Sequence, residues 1–219
     1  GQWVGPVTFV TPCVSTLSGN YTIDSNGTGT SNFVNLQSAL AAVSTCGITG
    51  PVTFTLAPYV HTGGMSLATL NGASATNTVT FQGPATGTAT IQGVAGQFAA
   101  VTLNGTDFVT LRKLRIMHPT ASGIILTGGA HDIVIDENEI LADTTATAST
   151  IAGIASTSSL TSVTGYGVNA NNITVTDNVI KGGYYGVRFN GGTTTSFNTG
   201  INLSGNTITK SYYYGTYYY

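Results

Sequence analysis

The chain has 219 residues, of which only 6% are charged, with six basic and eight acidic side chains and a formal net charge of −2. An average soluble domain carries roughly 25% charge, and six cations cannot build the basic stripe that nucleic acid or an anionic membrane surface requires. No apolar run approaches the ~18 residues that span a bilayer, so neither nucleic acid nor a membrane interior is an expected partner. Thr, Gly, Ser and Asn supply 101 of the 219 residues. That composition disfavours helix interiors and, with Val, Ile, Tyr and Phe, favours strands and turns.

In chain order, Gly1 reads as a mature or trimmed end. Cys13 and Cys46 are the only cysteines. They fit either one disulfide in an exported protein or two buried thiols, and the charge-poor setting favours the disulfide. Phe33, Leu36, Leu40 and Val43 fall on one helical stripe, with Ser31 as its N-cap and Gly47 as its C-cap. The expected division is an N-terminal strand and capping helix over residues 1–50, followed by a repetitive body over residues 51–219 that continues beyond Tyr219.

The body repeats one pattern, an apolar-x-apolar pair followed by Asn and a further apolar residue. It runs through Ile133, Ile135, Asn138 and Ile140, then Ile173, Val175, Asn178 and Ile180, then Ile201, Leu203, Asn206 and Ile208. Looser copies pass through Val109 and Leu111, Val79 and Phe81, and Val52 and Phe54. The second anchors, Phe54, Phe81, Leu111, Ile135, Val175 and Leu203, are 27, 30, 24, 40 and 28 residues apart. Period-two alternation means a strand with one buried face, and a variable period of this length means a solenoid. A second short strand is expected after most repeats, from Gly123, Gly167, Gly186 and Gly215, and residues 143–165 are expected to bulge as a loop. The predicted fold is an all-β parallel β-helix with a short N-terminal capping helix that covers the first strand edge.

Leu17 to Ile23 (LSGNYTI), Phe33 to Leu40, and Cys46 to Phe54 (CGITGPVTF) resemble the opening of β-helix domains in large exported surface proteins of Bacteroidetes-type bacteria. The resemblance covers residues 17–219 and is strongest from 17 to 60, departing at Ala57, Pro58, Tyr59 and Val60. It implies a right-handed, broadly pectate-lyase-like helix, type 9 secretion, and an extracellular or outer-surface location.

Charge gathers on two repeats. A 24-residue offset sets Arg112 against Asp136, Lys113 against Glu137 and Arg115 against Glu139, an ion-pair ladder whose acids already have partners. Asn138, Asn178 and Asn206 share one repeat position and are expected to form an asparagine ladder through their side chains. His118 and His131 lie outside any metal-binding spacing, His61 falls in a Gly-rich bend, and Asp107 is expected to cap a turn. No nucleotide loop, zinc spacing or Ser-His-Asp order is present, so no catalytic residue, metal or cofactor is expected.

Tyrosine is concentrated near the end. An offset of 29 sets Tyr184 on Tyr213, Tyr185 on Tyr214 and Phe189 on Tyr218. Tyr184, Tyr185, Tyr213, Tyr214 and Tyr217 are the candidate ligand-binding residues, either as a stripe for sugar rings or as internal ring stacks. The expected function is a non-catalytic structural or adhesive module, an adhesin, stalk or filament component, with cell-surface polysaccharide or other surface-protein subunits as partners. The alternative is a polysaccharide-binding or polysaccharide-degrading β-helix protein.

Overall fold

In the computed structural model, residues 13, 15–192 and 197–219 are described. The beginning of the division expected over residues 1–50 lies outside them. Strand β1 (Leu17–Ile23) and the short β2 (Asn32–Phe33) come first, then helix α1 (Leu36–Cys46). Six coils follow among the described residues, each made of three strands. The first holds β3 (Ile48–Leu56), β4 (Val60–Thr62) and β5 (Met65–Leu67), and the second β6 (Val79–Gln82), β7 (Thr90–Gln92) and β8 (Ala99–Asn104). The third holds β9 (Val109–Arg112), β10 (Arg115–Met117) and β11 (Ser122–Thr127), and the fourth β12 (Ala130–Asp136), β13 (Glu139–Leu141) and β14 (Ala152–Ser156). The fifth holds β15 (Ala170–Thr176), β16 (Val179–Lys181) and β17 (Tyr185–Phe189), and the sixth β18 (Ile201–Ser204), β19 (Thr207–Thr209) and β20 (Tyr214–Tyr218).

The first strands of the coils join β1 and β2 in an eight-stranded sheet I; the second and third strands form the six-stranded sheets II and III. All pairing is parallel, in registers such as Ile135 on Leu111 and Val175 on Ile135. The chain is a right-handed parallel β-helix, the hand that parallel crossovers adopt almost without exception. Its interior is a stack of inward residues: Phe54 lies over Phe81 with ring centroids 4.8 Å apart, and Leu111, Ile135 and Val175 continue the row.

Two corners of the coil demand left-handed backbone. Between sheets I and II, Lys113, Glu137 and Asp177 have φ of 53°, 54° and 54°, and Gly205 has 67°. Where sheet III gives way to sheet I, the same role falls to Phe108 and Gly200, just ahead of their strands, with φ of 57° and 66°, and to Asp132 and Asn172, near the start of theirs, with φ of 55° and 52°. Asn and Asp tolerate this region better than most residues.

The asparagine column closes the first corner. Asn138 donates from Nδ2 to the Leu111 carbonyl at 2.9 Å and to Asn178 Oδ1 at 3.1 Å, and its Oδ1 accepts from the Leu114 N–H at 3.0 Å. Asn178 donates to the Ile135 carbonyl at 2.8 Å and to Asn206 Oδ1 at 2.9 Å. Each side chain thus satisfies backbone groups that the turn withdraws from the sheets. Where sheet II gives way to sheet III, glycine allows close approach: a Cβ on Gly153 would lie 2.4 Å from Ile180 Cγ2 and 2.5 Å from the Gly186 carbonyl oxygen.

Several expectations need correction. The N-cap of α1 is Asn35, not Ser31; its side chain accepts from the Ser38 N–H at 2.8 Å. Phe33 belongs to β2, where it packs against Tyr21 and Phe54 instead of extending the helical stripe. Gly47 does end the helix, with φ of 66°. The stretch 143–165 is not one loop: β14 lies within it, buried along its whole length, and Gly167 and Val168 form no strand. Its Ala-Gly-Ile-Ala-Ser sequence lacks the β-branched alternation that marks a strand. Cys13 and Cys46 are disulfide-bonded with Cα atoms 5.2 Å apart, tying the N-terminal segment to the end of α1.

His61 is not in a bend. It sits in β4, buried in the row continued by Ile91, stacked 4.4 Å from Tyr59 and bonded through Nε2 to the Ala57 carbonyl at 3.0 Å. Burial pushes its pKa below the ordinary 6.5, against the opposing pull of that carbonyl and of Asp24.

Two outcomes are expected. Asn178→Ala strands buried backbone groups in two coils and should lower stability by about 3 kcal/mol, a drop in melting temperature of roughly 6–12 °C for a chain of this size, measured by calorimetry, with Asn206→Ala costing less because Asn206 is half-exposed. Because folding depresses the His61 pKa, the unfolded chain binds the extra proton below pH 6.5. Stability should therefore be complete above that pH and fall as pH drops toward the folded value. Denaturant titrations at pH 7.5 and pH 5 should show a smaller pH effect in His61→Gln.

Candidate functional site

Sheet III differs from an ordinary amphipathic sheet because both of its faces are apolar. Ile124, Leu126, Ile154, Val187 and Phe189 point into the solenoid. Ala99, Ile125, Ala152, Ala155 and Tyr185 form a second buried cluster on the outside. An outward apolar face is stable only when something covers it. The cover is the segment between β14 and β15, which folds back so that Val163 is buried in this outer cluster. Asn190, just after β17, holds the cover down: its Nδ2 donates to the carbonyls of Val163 and Gly165 at 2.7 and 3.0 Å.

Along the border of sheets II and III runs a row of side chains in equivalent coil positions: Phe98, Ala121, Ile151, Tyr184 and Tyr213. Successive members are one strand spacing apart, so the row spans roughly 19 Å at ~4.8 Å per coil. At its Phe98 end, a cleft of about 410 Å³ opens between the row and Leu160 and Thr161 of the covering segment. At its other end the rings of Tyr184 and Tyr213 stack 5.3 Å apart, with Tyr212 5.5 Å from Tyr184. Tyr212 and Tyr213 are 60% and 61% exposed.

The other tyrosines named from sequence divide into two kinds. Tyr214 is exposed and packs edge-on against Tyr213 at 4.4 Å. Tyr185, though in register with Tyr214, is only 7% exposed, so it cannot offer a ring face to a ligand. It and the half-buried Tyr217 instead flank Arg188, whose guanidinium carbon lies 4.4 and 4.7 Å from their ring centroids. Partial desolvation raises the Tyr184 pKa above its ordinary value, and a hydrogen bond with Tyr213 raises that of Tyr214.

The ion pairs lie elsewhere, on the outer surface of sheets I and II. Arg112 is 3.9 Å from Asp136 and 3.2 Å from Glu137, Lys113 is 3.5 Å from Glu137, and Arg115 is 3.2 Å from Glu139. Sequence reasoning missed Lys181, which joins Glu139 at 2.9 Å from the next coil, and Thr176, which donates to Asp136 at 2.8 Å. The Arg112 hydrogen bond, with Lys113 nearby, holds the Glu137 carboxyl below its usual pKa. His131 bridges Asp107 through Nε2 at 3.1 Å and Asp132 through Nδ1 at 2.7 Å. The Asp107 side chain also accepts from the His131 N–H at 3.3 Å. His118 is buried, with Nε2 on the Val94 carbonyl at 3.1 Å. Among the described residues no group of three or more His, Cys, Asp or Glu is placed to hold a metal ion, and no helix is long and apolar enough to cross a membrane.

No protein-family model matches the chain, and no curated protein matches it. Three solved structures are similar. Escherichia coli YbhC aligns with 85% of the chain at 12% identity and a TM-score of 0.53, and the chain spans 57% of its length. Two structures of the pectin methylesterase from Aspergillus niger, one deglycosylated and one penultimately deglycosylated, align with 95% and 94% of the chain at 15% identity. The alignments cover 87% and 85% of those chains, with TM-scores of 0.37 and 0.38. What the chain shares with these proteins is the parallel β-helix. The expectation of a non-catalytic adhesin, stalk or filament module is withdrawn: the similar structures that carry an activity in their names are pectin methylesterases, and the likeness to them is one of fold.

The surface ion pairs should add little. A double-mutant cycle on Arg115→Ala and Glu139→Gln is expected to give a coupling of about 0.5 kcal/mol, shrinking in 1 M salt as screening grows, read from denaturant midpoints.

Proposed function

We propose that the chain is a polysaccharide-binding β-helix protein that lays a saccharide along the outer edge of sheet III. One observation carries this reading: the aligned row from Phe98 through Ile151 to the half-buried Tyr184 stacked on the exposed Tyr213, with the cleft beside it. Sugar rings present apolar C–H faces that pack on aromatic rings, and a regularly spaced row suits a polymer better than a single small molecule. Tyr184, Tyr213, Tyr212 and Tyr214 are the proposed contact residues. The neighbours named as pectin methylesterases agree with a saccharide ligand, and chemistry on the bound polymer belongs to the same proposal. The disulfide favours an oxidising compartment. The proposal therefore includes export to the cell exterior, with type 9 secretion as the route that the N-terminal motifs suggest.

The test is a polysaccharide panel in affinity electrophoresis, with released reducing ends and released methanol assayed in parallel. At least one polymer should retard the protein, and Tyr213→Ala should weaken that retention on the order of tenfold, consistent with 1–2 kcal/mol from one ring, without lowering the melting temperature. Absence of retention across the panel would overturn the reading.

A further inference from the structure

The cleft beside the row is lined from three coils: Phe98 from the second, Ala121 from the third and Ile151 from the fourth. Its shape therefore depends on how the passages from sheet II to sheet III sit against one another. His118 opens that passage in the third coil and ties it to the passage in the second. Its Nε2 is bonded to the Val94 carbonyl at 3.1 Å, and its Nδ1 to the Thr120 N–H at 3.3 Å. Val94 begins the turn that brings Gly96, Gln97 and Phe98 to the cleft, and Thr120 and Ala121 line it from the next coil. Gln97 braces the same turn. Its N–H donates to the Val94 carbonyl at 3.1 Å, its Oε1 accepts from the Val94 N–H at 2.9 Å, and its Nε2 donates to the Gly63 carbonyl at 2.7 Å.

The two partners of His118 leave one arrangement of its proton. A carbonyl only accepts and a backbone N–H only donates, so Nε2 carries the hydrogen and Nδ1 offers its lone pair. The residue is 1% exposed, and Gly93 makes room for it, since a Cβ there would run into the imidazole ring. The groups around it are uncharged: Gly93 and Val94 of the second coil, Thr120 of its own, and Leu141 of the fourth, whose carbonyl accepts the His118 N–H at 2.9 Å. Asp143, the titratable side chain that follows on the fourth coil, is bonded instead to the Thr145 N–H at 2.7 Å and hydroxyl at 2.6 Å. A second proton would turn Nδ1 into a donor facing the Thr120 N–H, and would bury a positive charge among neutral groups.

Resting on the polysaccharide reading, we infer that His118 is a positioning residue of the saccharide cleft: in its neutral form, protonated at Nε2, it holds residues 94–98 and residues 120–121 at the spacing that receives the sugar. It touches no ligand itself. Protonation of Nδ1 releases Thr120, the two walls lose their common anchor, and the saccharide is held less tightly as the solution turns acid.

The test is calorimetric titration with dextran, hydroxyethylcellulose, galactan and polygalacturonate at pH 7.5 and pH 5, across the interval in which histidine ordinarily titrates. At least one polymer should bind at pH 7.5 and be held on the order of tenfold more weakly at pH 5, as loss of one buried hydrogen bond provides. His118→Asn and His118→Gln take up no proton, and neither can make both bonds at once. Each should bind on the order of fivefold more weakly than the wild type at pH 7.5, and equally at the two pH values. Wild-type binding that does not change with pH overturns the His118 assignment. So does a fall with pH that the variants share, since it then belongs to other groups. Should either variant melt early, the free wild-type protein decides through the ring resonances of His118 and the amide of Thr120 in proton–nitrogen spectra. These should show the Nε2–H tautomer at pH 7.5, and both signals should move with the same pH midpoint as the loss of binding. The other tautomer, or a midpoint that does not coincide, overturns the assignment and leaves the polysaccharide reading standing. Failure to bind any of the four polymers at pH 7.5 overturns both.

Discussion

Parallel pairing at a fixed register forces each residue of one coil to lie over its counterpart in the next. Side chains therefore come in columns, and every column must be self-compatible at the strand spacing. Phe54 on Phe81, Asn138 on Asn178, Gly153 on Gly186 and Tyr184 on Tyr213 are four answers to that one requirement. The charges obey it as well: opposite signs stack, as in Arg115 on Glu139, and Glu139 is shared with Lys181 on its other side. The left-handed corners are columns of backbone conformation in the same sense, which is why residues as different as Lys113, Glu137 and Asp177 adopt nearly the same φ.

This stacking explains what was legible in the sequence. Sheets I and II announce themselves because their strands alternate β-branched and polar residues at a recurring offset, and one anchor locates the next. The tyrosine pairs could be read by the same arithmetic. Strand β14 could not, since Ala152–Ser156 is apolar on both faces and carries no alternation. The helix start was misplaced because Phe33 fits a helical stripe equally well, and only the aromatic contacts with Tyr21 and Phe54 hold it in a strand.

The candidate site was half legible. The stacking of Tyr213 on Tyr184 and of Tyr214 on Tyr185 follows from the offset of 29, whereas the choice between an exposed stripe and internal stacks does not. Burial of Tyr185 and Arg188 does not, because it depends on Val163 and Asn190 meeting across the outer face of sheet III. That contact joins an insertion in one coil to the end of a strand in the next, and no local pattern in either segment encodes it. An arginine between valine and phenylalanine in β17 reads as an outward surface residue, yet it is buried against Tyr185, Tyr217 and Asn190.

Left-handed backbone recurs at both ends of sheet I, and it also occurs between sheets II and III, at Gly63, Gly182 and Lys210. Chain length is constant at the corner closed by the asparagine column, where two residues join β9 to β10, β12 to β13, β15 to β16 and β18 to β19, and it varies at the other passages. In the fourth coil, ten residues separate β13 from β14 without shifting the register of either. That passage is the place where foreign peptide could be spliced in. A graft after Asp143 would display its sequence beside the tyrosine row while the scaffold beneath kept its pitch, making the solenoid a frame on which new specificities could be mounted one coil at a time.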